Sequence, residues 1–163
     1  MKAKKVTTVF LVAMLVILVG VVPAAAKAVR VDYVSIGCVV SQGPPERFWI
    51  SEDGIVHMRG ITVNQVDTST NDYDNGTATL IMNVDINPVT GYGHAYGSVT
   101  VYPTAYDGTW VGQWSTHISP EGLRGSMTAS GTGELEGLLL FNDMRSTDPA
   151  NPCTDGYETV LIP

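Results

Sequence analysis

Positive charge is scarce in this sequence, and so are cysteine and histidine. The 163 residues carry nine lysines and arginines against sixteen aspartates and glutamates, a formal net charge of −7. Clustered Lys and Arg are how proteins hold nucleic acid and anionic lipid, so the shortage argues against both as general partners. The three histidines, His57, His94 and His117, form no metal motif such as two His one helical turn apart. No metal or other cofactor is expected. There is no nucleophile elbow, no phosphate loop and no Cys–His signature. No convincing helical period follows the first 26 residues. Only one long apolar run occurs, at residues 6–22, so nothing later in the chain would hold it in a membrane through a helix.

That run follows Lys2, Lys4 and Lys5 and ends at Pro23-Ala24-Ala25-Ala26. A basic start, an apolar middle and a small-residue end describe a secretory signal peptide, residues 1–26, cleaved before Lys27. An uncleaved membrane anchor is the alternative. Removing three lysines leaves six cations against sixteen acids and a net charge of −10 on residues 27–163, room for one domain. The two cysteines, Cys38 and Cys153, lie near the two ends of that domain. An even count in an exported protein implies a disulfide, and terminal strands that are neighbours in a closed barrel would bring the two together.

The centre of the chain is the segment 91–114, read as two strands and a loop. Trp110, Gly112 and Trp114 share one face of the second strand, a large-small-large row suited to the interior of a small barrel. Before it, Ala78, Leu80, Met82, Val84 and Ile86 alternate with polar residues after an Asn75-Gly76 turn, the pattern of a half-buried antiparallel strand. Further strands are expected at 29–40, 47–51, 55–66, 123–131, 134–142 and 157–162. Gly60 marks a bulge that swaps the faces of the 55–66 strand. Glycines inside strands (Gly60, Gly97, Gly112, Gly137) favour a closing sheet. The expected fold is all-β, a single antiparallel β-barrel of about eight strands, with a β-sandwich as the alternative.

Few residues offer chemistry. His57 and Arg59 share a strand face with Ile55, Ile61 and Val63. Facing inward, they would give the cavity an acid or base and an anion grip; the other reading is an outward face or a bulged edge. Glu134 and Glu136 read as solvated surface. Asp72, Asp74 and Asn75, and likewise Asp85, Asn87 and Thr90, bring oxygens together, but neither loop follows a calcium-binding pattern, and turn chemistry accounts for both. Trp110 and Trp114 are the expected ligand-binding aromatics, with His57 and Arg59 beside them.

Gly108-Thr109-Trp110 resembles the Gly-x-Trp motif of lipocalins and avidins, displaced here to mid-chain. Gly131-Thr132-Gly133-Glu134-Leu135-Glu136-Gly137 is similar to the glycine-rich hairpin of allene oxide cyclase-like and dirigent-like barrels. With Asp85-Ile86-Asn87-Pro88 and Gly108-Thr109-Trp110, the pattern over about residues 55–163 resembles small exported prokaryotic proteins with that calycin-like barrel. The resemblance implies eight antiparallel strands around a central cavity. No catalytic residue of the plant enzymes matches, so no activity carries over. Three functions follow: a binder of a small apolar or amphipathic ligand, a cyclase or isomerase using His57 and Arg59, or a structural envelope protein with a filled core.

Overall fold

The computed structural model describes residues 28–147 and 151–163. The expected signal peptide lies outside them. Nine strands form one antiparallel sheet: β1 Val29–Gln42, β2 Arg47–Ile50, β3 Val56–Ser69, β4 Gly76–Ile86, β5 Gly93–Pro103, β6 Trp110–Ser119, β7 Gly122–Gly131, β8 Leu139–Ser146 and β9 Cys153–Ile162. Their order is β1-β9-β8-β7-β6-β5-β4-β3-β2, and β1 also pairs with β3. That last pairing closes eight strands into a barrel, which excludes the sandwich. The short β2 stays outside the ring, extending β1's side of β3.

Closure depends on β1. It pairs with β9 over Val29–Cys38 and with β3 over Ser35–Gln42, so one strand serves two neighbours. Cys38 and Cys153 are register partners in the β1–β9 ladder and form a disulfide. The covalent link therefore joins the first and last strands, as neighbouring termini imply.

Alternation fills the interior. Ile61 and Val63 from β3, Ala78 and Val84 from β4, Val99 and Val101 from β5, Trp110 and Trp114 from β6, and Leu140 and Val160 from β8 and β9 are all buried. The expected swap on β3 occurs: the register shifts between Met58 and Ile61, and Gly60 between them takes φ +69°. A Cβ at Gly97, opposite Trp114, would run into the Ile81 carbonyl, so β4 and β5 approach more closely than another residue allows.

One element departs from expectation. The strand expected at 134–142 begins only at Leu139 and runs to Ser146, and residues 133–135 form a 3-10 turn. Leu140, not Leu139 or Phe141, faces inward. The reason is local: Gly133 (φ +60°) and Gly137 (φ +86°) bend the chain into conformations a strand does not use. The bend drives Leu135 into the barrel, where it is fully buried. Trp110, also fully buried, donates from Nε1 to the Tyr73 carbonyl at 2.7 Å, and the Tyr73 and Tyr106 rings stack with centroids 5.1 Å apart. These residues close that end of the barrel.

Candidate functional site

Above this closed end the barrel is hollow. A cavity of about 360 Å³ is lined by apolar residues of β3–β8, among them Val63, Leu80, Met82, Val99, Trp114 and Met127. Its size lies within the range of small-molecule sites. Gln42, Asn151 and Pro152 also line it and are exposed, which places its mouth at the end of the barrel beside the disulfide.

One part of the wall is polar. The ladders align Tyr33 of β1, Glu158 of β9, Asn142 of β8, Met127 of β7 and Trp114 of β6 in a single cross-strand row. Glu158 is only 2% exposed. Its Oε1 accepts from Ser35 Oγ at 2.8 Å and from Asn142 Nδ2 at 2.5 Å. Asp67, from β3, is buried and accepts from Gln65 Nε2 at 2.8 Å. Asp74, in the β3–β4 turn, is buried too. Burial raises the Asp67 carboxyl to about 7, helped by the charge of Glu158. Burial also raises Asp74, with Glu158 and Asp67 adding like charge. Glu158 is raised by burial against the pull of its hydrogen bonds. Desolvation and the neighbouring carboxyls push the Tyr33 phenol up as well. Tyr33 Oη, Asn142 Oδ1 and Glu158 Oε2 are buried without a hydrogen-bond partner among the described residues.

The expected ligand-binding residues divide between two places. Trp114 lines the cavity, with Nε1 donating to the Ser98 carbonyl at 3.3 Å. Trp110 shares its face but belongs to the closed end. His57 and Arg59 are not on the cavity wall. The Gly60 bulge leaves Met58 packed against the core and turns its neighbours to the outer face of β3. There Asp85 Oδ1 accepts from Arg59 Nη2 and from His57 Nδ1, both at 2.6 Å. Trp49 of β2 stacks on His57 at 4.8 Å, and the Arg59 guanidinium lies 5.1 Å from the Trp49 ring and 5.7 Å from the Tyr96 ring. Burial pushes the Asp85 carboxyl up, but Arg59 and His57 together outweigh it and hold the group below its usual range.

The outer face also gathers residues far apart in sequence. His57, Asp85, His94 and His117 are successive register partners across β3–β6, with the His94 and His117 rings 5.4 Å apart. No group of three or more His, Cys, Asp or Glu among the described residues is arranged to hold a metal. Ser51 Oγ lies 3.2 Å from His57 Nε2, so Ser51, His57 and Asp85 form a hydrogen-bonded row. Ser51 Oγ also bonds to Asp53, a competing acceptor for its proton.

Sequence reasoning missed the buried carboxyls. Asp74 reads as turn chemistry, and Glu158 sits in an unremarkable terminal strand. One signal was present: Tyr33 and Ser35 share the strand parity of Val31, Asp67 that of Ile61 and Val63, and Glu158 that of Val160, all apolar residues of the core. No protein-family model matches this chain, and no curated protein matches it in sequence.

Proposed function

We propose that this is an exported barrel that binds a small amphipathic ligand in its cavity. The observation that carries this reading is the open space of about 360 Å³ beside Trp114, apolar on most of its wall and polar where Ser35, Glu158 and Asn142 meet. Such a division suits a molecule with an apolar body and a polar head. A void of that size weighs against a structural barrel with a filled core. The outward placement of His57 and Arg59 weighs against a cyclase working inside the barrel with those two residues. Export rests on the N-terminal sequence and agrees with a disulfide between the terminal strands. The likeness to allene oxide cyclase-like and dirigent-like barrels rests on strand number and the glycine-rich segment.

The test is native mass spectrometry of the protein recovered from its own host, paired with Ala95→Leu, which projects a larger side chain into the cavity. Retained small-molecule mass in the natural protein and its loss in the variant support binding. A bare chain that also takes up no added amphiphile removes the reading.

A second reading rests on the Ser51–His57–Asp85 row, which has the order of nucleophile, base and orienting carboxylate. Treatment with a fluorophosphonate decides it: covalent mass on Ser51, lost in His57→Ala, supports an acyl-transfer site on the outer face. An unlabelled Ser51 excludes it.

A further inference from the structure

We propose that the head group this cavity takes is a protonated amine, held by Glu158, Asp67 and Asp74 with the apolar body against Trp114 and Met127. The inference rests on the cavity-binding reading and names the ligand's charge.

Three observations carry it. First, among the described residues the charged ones lining the cavity are Asp67, Asp74, Asp155 and Glu158, and no Arg or His of these residues lines it. The five arginines of the described residues lie elsewhere; Arg30, Arg47, Arg124 and Arg145 are exposed and Arg59 is on the outer face of β3. Second, the polar atoms left over are short of donors. With Glu158 ionised, its Oε2 and Asn142 Oδ1 are acceptors, Tyr33 Oη holds the one proton among the three, and all are buried without a partner among the described residues. Oε1 of the same Glu158 already takes two donors, from Ser35 and Asn142. An ammonium brings three donors and no acceptor, which is what these atoms lack. A carboxylate ligand would bring more acceptors and more negative charge to a wall that already has both. Third, the row that holds Glu158 continues through Asn142 and Met127 to Trp114. A head at Glu158 therefore places the adjoining carbon chain along an apolar wall.

The electrostatics agree in sign. Burying a carboxylate without a counter-charge is costly, and burial raises the proton affinity of Asp67, Asp74 and Glu158 alike. An entering ammonium favours the ionised form, so binding releases protons. Affinity for the amine then rises with pH across the range where the carboxyls ionise, while an alkylamine itself stays charged. The groups facing the head are Tyr33 on β1, Asp67 on β3, Tyr73 and Asp74 in the following turn, and Asp155 and Glu158 on β9. Strands β4–β8 contribute no titratable side chain to the cavity.

The experiment is isothermal titration of the mature, oxidised protein with three probes sharing a hexyl body: hexylamine, hexanol and hexanoate. At about pH 8, hexylamine is expected to bind at least roughly tenfold more tightly than hexanol, and hexanoate more weakly than either. Glu158→Gln, and independently Asp67→Asn, should bring hexylamine close to hexanol and leave hexanol unchanged. The second variant keeps the test open if the first does not fold. Equal binding of hexylamine and hexanol overturns the amine inference and leaves the cavity reading standing, and so does preference for hexanoate. No binding by any probe overturns the cavity reading, and this inference falls with it.

Discussion

Asp67 has its carboxyl raised to about 7, close to neutrality, because burial and Glu158 both oppose its charge. A raised carboxyl means that the folded protein holds a proton the unfolded chain has released. Stability from this group is full below the ordinary carboxylate range near 3.8 and declines as pH rises toward about 7. Asp74, also raised, continues the decline above that point. Asp67→Asn keeps an oxygen to accept from Gln65 and carries no charge. The variant is expected to gain a few kcal/mol near neutral pH and to show a flatter stability–pH curve, measured by urea denaturation. Asp85 has the opposite sign: held low by Arg59 and His57, it contributes stability above its normal range that is lost in acid. Asp85→Asn should therefore destabilise the protein near neutral pH and leave it nearly unchanged at low pH.

The decisive element is β3 with its bulge. Before Gly60, His57 and Arg59 point outward; after it, Ile61, Val63 and Asp67 point inward. Gly60→Ala forces a side chain into φ +69° and against the Glu46 carboxyl, and is expected to cost roughly 1–3 kcal/mol. Gly54→Ala, at φ +79° with open space around it, should cost only the backbone part, about 1 kcal/mol. Parallel denaturant curves of the two variants separate backbone strain from crowding. The swap itself was legible in the sequence, since neither face of 55–66 is clean and Gly60 stands at the change. Which half turned inward was not legible. The half whose His57 and Arg59 stay outside is the one paired with β2, where Trp49 stacks on His57.

At the scale of the whole molecule, the ring is joined covalently at Cys38–Cys153, between the first and last strands. The separation of 115 residues makes this a long loop in the unfolded chain. Replacing both cysteines by serine is expected to remove about 2–5 kcal/mol, because the unlinked chain has more freedom to gain on unfolding. The far-ultraviolet circular dichroism of the folded variant should stay strand-like, since the β1–β9 ladder holds the termini together by itself. A variant that loses its strand signal under native conditions would show that the disulfide is required to close the barrel.

The sequence by itself determined the strand-rich class, the alternation on β4, the inward Trp110–Gly112–Trp114 face and the partnership of the two cysteines. All four follow from local periodicity or from having only two candidates. It misplaced β8, because glycines with positive φ look the same in sequence whether they bend a strand or end one. The tertiary structure alone decided that His57 and Arg59 lie outside, that three histidines line up across β3–β6, and that Asp67, Asp74 and Glu158 meet inside. Those carboxyls come from a strand, a turn and the last strand. Only closure of the ring brings them close, and only burial inside it raises their proton affinity, so no pattern along the chain could announce them.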